Sequence, residues 1–225
     1  ASGETRAVEA ISGTGDITVN FSGLQSGAGG VGVYTQTNGV ATINMASSYH
    51  DYQTTVLRAV GGRAVFNAAG EIWGGFDMTA LTDSSEVNIL SGGVWHLQAN
   101  DTHLFGAADD TVNNLAGGHV ISQMQQPFPN ANATLGPSTI NFGAGDDTFN
   151  NAGVLAVGPY TTSQATYVTR GDLALANLET FNNTGLILMG APAFQATGSP
   201  GGLSAIETDG FYDDILYLPG VRFVG

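Results

Sequence analysis

Apolar and polar residues alternate with period two in short runs along the first third of the chain, the mark of half-buried strands. Gly15-Asp-Ile-Thr-Val-Asn20 aligns with Gly39-Val-Ala-Thr-Ile-Asn44 and with Gly62-Arg-Ala-Val-Phe-Asn67, the starting glycines 24 and 23 residues apart. Between them, Val31-Gly-Val-Tyr-Thr35 matches Thr55-Val-Leu-Arg-Ala59 at a similar offset. Each unit holds two short strands set apart by Gly and Asn turns. The register continues more loosely at Glu86-Val-Asn-Ile-Leu90. A repeat of this length is about one turn of a parallel β-helix, whose units bury their apolar faces only by stacking.

A second phrase recurs downstream. Asp109-Asp-Thr-Val-Asn-Asn-Leu-Ala-Gly117 returns as Asp146-Asp-Thr-Phe-Asn-Asn-Ala-Gly153 and again as Glu179-Thr-Phe-Asn-Asn-Thr-Gly185. Its asparagines Asn113, Asn150 and Asn182 are 37 and 32 residues apart, longer than one turn, so loops must interrupt the rungs. Segments 125–137 and 190–202, which hold Pro127, Pro129, Pro137, Pro192 and Pro200, cannot lie inside central strands. Helical signals are weak. Residues 170–182 have helix-forming composition with Asp172 as a cap, but Leu173, Leu175 and Leu178 fit a strand equally well. The expectation is an all-β chain, a single β-solenoid domain over 1–225 with more regular rungs over 10–92 and loop-interrupted rungs over 93–225.

Within that frame the repeated positions take roles. Asn20, Asn44 and Asn67, and likewise Asn113, Asn150 and Asn182, would stack at a turn as amide ladders, a position where Asn also tolerates left-handed backbone. Val112, Phe149 and Phe181 would stack inward as core.

Composition and charge narrow the partners. Hydrophobic residues are 42% of the chain, enough for a core, while charged residues are only 11%, so Thr, Ser, Asn, Gln and Gly must supply the polar surface. Five arginines and no lysine stand against 19 acidic residues, for a formal charge of −14. Nucleic acid and anionic lipid are excluded as partners, because phosphate neutralisation needs clustered Lys and Arg. No run approaches the ~20 apolar residues of a membrane helix, so no membrane insertion by this chain is expected. Cysteine is absent, which removes disulfides and thiolate metal sites.

The candidate metal phrase is Gly-x-x-Asp-Asp, at Gly106 with Asp109 and Asp110, at Gly143 with Asp146 and Asp147, and at Gly210 with Asp213 and Asp214. The second copy resembles the calcium nonapeptide of repeats-in-toxin proteins, with Phe142 in place of the first Gly. Calcium takes roughly six to eight oxygens, which that family collects from tandem repeats. Here no tandem exists, so weak surface binding of calcium is the expectation and no other cofactor is. His50, His96, His103 and His119 lack zinc spacing, and no Gly-x-Ser-x-Gly elbow occurs. Asn100, Asn132 and Asn182 open Asn-x-Thr triplets, at a frequency chance explains. Tyr34, Tyr49, Tyr52, Trp73, Trp95 and Tyr160 would either stack on carbohydrate or pack under loops.

The strings Phe142-Gly-Ala-Gly-Asp-Asp-Thr-Phe-Asn-Asn-Ala-Gly-Val, Leu178-Glu-Thr-Phe-Asn-Asn-Thr-Gly and Asp214-Ile-Leu-Tyr-Leu-Pro-Gly-Val resemble the central passenger region of Gram-negative autotransporters. The upstream Gly-Asp-Ile-Thr-Val-Asn units are similar to the repeats that precede that region. The resemblance implies a right-handed parallel β-helix, secreted through the outer membrane and displayed or released. Alternating strands of a translocator barrel are missing, which makes the chain a fragment or processed product on this reading. No catalytic residues carry over, because the shared motifs are structural.

The resulting expectation is a non-enzymatic extracellular solenoid on the outer cell surface. It acts as an adhesin that meets a host or cell-surface ligand, or as a scaffold that associates head to tail through strand edges. The alternatives are a carbohydrate-active β-helix enzyme with carboxylates converging on one strand face, and a calcium-stiffened surface module.

Overall fold

The computed structural model describes residues 6–25, 30–47, 49–98, 102–123, 138–157, 172–189, 215–217 and 222–224. Every strand pairing among them is parallel, and no helix occurs among them. Non-consecutive strands pair throughout, each with the strand one coil later, so the chain winds as a parallel β-helix.

Three stacked sheets form the walls. The first runs from Arg6–Ile11 through residues 31–37, 55–61 and 75–81 to Thr102–Leu104, Ser138–Asn141, Asp172–Ala176 and Ile215–Tyr217. The second begins at Ile17–Phe21, passes residues 40–45 and 64–68, and continues as Ser85–Ile89, Thr111–Asn114, Thr148–Asn151, Thr180–Asn183 and Arg222–Val224. The third holds Leu24–Gln25, residues 49–50 and 71–73, then Val94–Gln98, His119–Gln123, Val154–Val157 and Leu186–Met189. Strands Val31–Met45 and Tyr49–Ala68 are long because they turn a corner without leaving extended structure.

Coil length is regular at first. Ladder asparagines are separated by 24, 23, 21 and 25 residues, then by 37 and 32. The extra residues enter at one corner, where the third sheet returns to the first, in segments 124–137, 158–171 and 190–214. The prolines singled out above lie in these segments, outside the described residues. Residues 172–176, read from sequence as helix cap or strand, are strand, with Leu173 and Leu175 buried.

The interior is a set of columns, one residue per coil. In the second sheet Val19, Ile43, Phe66, Val87, Val112, Phe149 and Phe181 share one register position and all are buried. Phe149 and Phe181 stack with ring centroids 5.5 Å apart and planes at 27°. In the first sheet the inward column reads Val8, Val33, Leu57, Phe76, His103, Ile140 and Leu175. A single histidine thus stands in an apolar column.

Phe149→Ala removes a fully buried ring from the centre of its column and should destabilise the fold by about 3–5 kcal/mol. Thr148→Ala, one residue away on the outer face, should change stability by less than about 0.5 kcal/mol. Urea unfolding followed by circular dichroism measures both. Equal effects would overturn the inward placement.

Candidate functional site

The repeated phrase decodes once it lies on a strand. Side chains alternate between faces, so in Asp109-Asp110-Thr111-Val112-Asn113-Asn114 the second, fourth and sixth point inward and are buried. Asp147, Phe149 and Asn151 repeat this in the next coil. The earlier coils carry apolar or small residues at the same positions, as in Ala64, Phe66 and Ala68. In the second half of the coil, therefore, polar groups flank the apolar column inside the protein.

Outside, Asn20, Asn44, Asn67, Asn88, Asn113, Asn150 and Asn182 form one continuous ladder. Each amide Nδ2 donates to the Oδ1 of the asparagine one coil earlier, over 2.7–2.9 Å. The two groups expected from sequence are one column, joined by Asn88. They lie on the strand face and not at a turn, a correction that follows from their paired strand register. Left-handed asparagine backbone occurs instead at Asn177, with φ of 58°, whose Nδ2 donates to Asn141 Oδ1 at 2.8 Å.

A second ladder, not expected from the sequence, runs inside. Asn114 Nδ2 donates to Asn151 Oδ1 at 2.7 Å, and Asn151 Nδ2 to Asn183 Oδ1 at 2.7 Å. Its donors face the opposite way along the coil. Asn114 also donates to the Val154 carbonyl at 3.0 Å, which ties the second sheet to the start of the third. The doubled Asn of the phrase was the available signal, since adjacent residues must face opposite sides.

The paired aspartates stitch neighbouring coils in both directions. The backbone N–H of Asp146 donates to Asp109 Oδ1 at 2.9 Å, and that of Asp110 donates to Asp147 Oδ1 at 2.6 Å. Asp110 in turn accepts from Ser85 N at 2.5 Å, Ser85 Oγ at 2.7 Å and Gly106 N at 3.1 Å. Glu179 takes the same place one coil later and accepts from Asp147 N at 2.8 Å. The leading glycines allow the turns to stack: Gly143 has φ of 87°, and a Cβ there would collide with the Gly106 carbonyl.

These bonds engage Asp109 Oδ1, both oxygens of Asp110 and Asp147 Oδ1. No group of three or more His, Asp or Glu residues among the described residues is arranged to hold a metal. Of the candidate aspartates, Asp110 already accepts hydrogen bonds on both oxygens, and Asp213 and Asp214 lie outside the described residues. On the strand faces, Glu9 pairs with Arg6, Asp77 with Arg58 at 2.9 Å and Glu86 with Arg63 at 2.8 Å.

The aromatic residues divide between interior and surface. Trp95 is buried, and Tyr34 lies under the Arg6 guanidinium, 3.6 Å from its ring centroid. Trp73 stacks on His96 at 3.7 Å. Tyr160 and the side chains of Tyr49 and Tyr52 lie outside the described residues.

Three buried titratable groups have displaced pKa values. Burial pushes the Asp147 carboxyl up to about 7; the Asp110 N–H opposes this, and the charges of Asp110, Glu179 and Asp109 add to it. Burial likewise raises Asp110, against its bonds from Ser85 and Gly106. His103 is edge-on to Trp95 at 4.8 Å and to Phe76 at 5.6 Å, and burial lowers it to about 3. Comparison with protein-family models, with curated proteins and with solved structures finds no match.

Opposite pH slopes follow. Folded Asp147 keeps its proton up to about pH 7, whereas unfolded aspartate releases it near 3.8, so its contribution to stability is lost as pH rises between the two. Folded His103 stays neutral down to about pH 3, whereas unfolded histidine charges near 6.5, so stability is lost as pH falls through that range. Relative to wild type, Asp147→Asn should show a steeper loss of stability on acidification from neutral pH, and His103→Phe a steeper loss on neutralisation. Urea midpoints across that range measure both; parallel profiles would overturn the assignment.

The ladders separate by burial. Asn151→Ala, inside, should cost about 2–4 kcal/mol because it leaves buried partners unsatisfied, while Asn150→Ala, outside, should cost about 1 kcal/mol because water replaces its bonds. Thermal or urea unfolding of the two variants checks the order.

Proposed function

We propose that this chain is a non-enzymatic extracellular β-solenoid, similar to an autotransporter passenger, and that it acts as a surface adhesin or structural scaffold. One observation carries the reading: the polar groups that recur along the coil are used to hold one turn on the next. Asp110, Asp147 and Glu179 accept backbone N–H groups. The asparagines bond one another, and the strand-face carboxylates of Glu9, Asp77 and Glu86 pair with arginines. A carbohydrate-active site would instead need two carboxylates, or a carboxylate and a base, turned toward a shared substrate.

The insertions support display. They enter the sequence between strands of the third sheet and strands of the first, at one corner of the coil. Solenoids place per-repeat insertions on one face, often the binding face.

Antibody raised against the folded chain should label intact cells of the source organism without permeabilisation. Labelling only after permeabilisation would sink the extracellular reading. Incubation with acidic and neutral polysaccharides should release no product, and product formation would restore the enzyme alternative.

A further inference from the structure

Every asparagine but one among the described residues takes part in an Asn–Asn hydrogen bond. The outer and inner ladders hold most of them, and Asn141 and Asn177 bond each other. Asn38 is the exception. Its side chain is exposed, and the residue after it is Gly39, which makes the only Asn-Gly pair in the sequence.

Asn38 also stands apart in the backbone. Strand Val31–Met45 pairs with the preceding coil up to Gln36 in the first sheet and again from Ala41 in the second. Toward the next coil the register runs to Thr37 opposite Gly61 and resumes at Val40 opposite Arg63, so Asn38 and Gly39 together face Gly62. Two residues against one make a β-bulge, which leaves the extra residue out of the ladder. The Asn38 N–H reaches the Gly13 carbonyl at 3.4 Å, and the Gly39 N–H donates to the Thr37 hydroxyl oxygen at 3.0 Å. The Gly39 nitrogen thus bonds a side chain two residues away and no neighbouring strand.

An asparagine before glycine can close on its own backbone. The Gly39 nitrogen, once its proton passes to hydroxide, attacks Asn38 Cγ, and the side-chain nitrogen takes a proton from water and leaves as ammonia. Water then breaks one of the two ring C–N bonds of the succinimide. Cleavage at Cγ leaves aspartate, and cleavage at the backbone carbon leaves isoaspartate, with Cβ and Cγ now in the main chain. Glycine favours closure because it has no Cβ to obstruct the ring and its backbone turns freely. We propose that Asn38 is a site of spontaneous deamidation in the folded protein, and that its isoaspartate form loosens the corner where Gly15, Gly39 and Gly62 stack. That corner has no room for a longer backbone. A Cβ on Gly62 would collide with the carbonyl oxygens of Gly39 and Asn38, and one on Gly61 with that of Thr37. The reaction needs only water and is independent of the adhesin reading.

The test incubates the purified full chain in mildly acidic and mildly alkaline buffer. Peptide mapping by mass spectrometry follows each asparagine, and isoaspartyl methyltransferase labels isoaspartate. In the folded chain Asn38 should convert about tenfold faster than Asn67 or Asn150, a ratio that about 1.4 kcal/mol of activation free energy supplies. Alkaline buffer should speed it, and Asn38→Ser should abolish the label. The isoaspartate form should unfold at lower urea than Asn38→Asp, which carries the same charge on an ordinary backbone. Conversion of Asn38 no faster than that of the ladder asparagines, conversion confined to urea, or a label that survives Asn38→Ser would overturn the site. Coincident unfolding of the isoaspartate form and Asn38→Asp would overturn the loosening.

Discussion

A primary amide donates at one end and accepts at the other, and this structure depends on that property. Seven asparagines on one strand position turn backbone stacking into a fixed register, because each amide bonds only when the next coil presents its own at the same place. A parallel sheet shifted by one residue would exchange its buried and exposed faces. The ladder makes that slip costly at every coil. Flat stacked sheets are otherwise unusual, and side-chain ladders are one of the means that stabilise them.

The two halves of the coil solve the interior differently. The first fills the space inside the second sheet with residues such as Ile43, Met45, Phe66 and Ala68. The second keeps only one apolar column there and flanks it with aspartate and asparagine, which bond backbone and one another. Buried polar groups are tolerated when bonded and costly when not. That condition is met for Asp147 Oδ1, while Asp147 Oδ2 has no partner among the described residues, in keeping with the upward displacement of its pKa. His103 meets the same problem in the first sheet by remaining neutral among aromatic rings.

The corner where the third sheet returns to the first and the outer face of the second sheet differ in what holds them. The first lies between strands that pair in register on either side. The second is pinned by the ladder itself, since Asn113, Asn150 and Asn182 bond one another across coils.

Period-two alternation and the spacing of the glycines were legible in the sequence, because strand geometry and turn stacking act locally and leave their period in the chain. The inward column of Val112, Phe149 and Phe181 followed from the same alternation. The sequence did not reveal that Asn88 joins two apparent groups into one ladder, since its spacing varies with turn length and Glu86-Val-Asn aligns only loosely. It also did not reveal that Asn114, Asn151 and Asn183 face inward, or that His103 enters an apolar column. Nor did it show that both aspartates of the phrase accept N–H groups from different coils. Each of those facts depends on which coil lies above which, and pairing over separations of 25–37 residues is decided only when the whole stack closes its hydrogen bonds together.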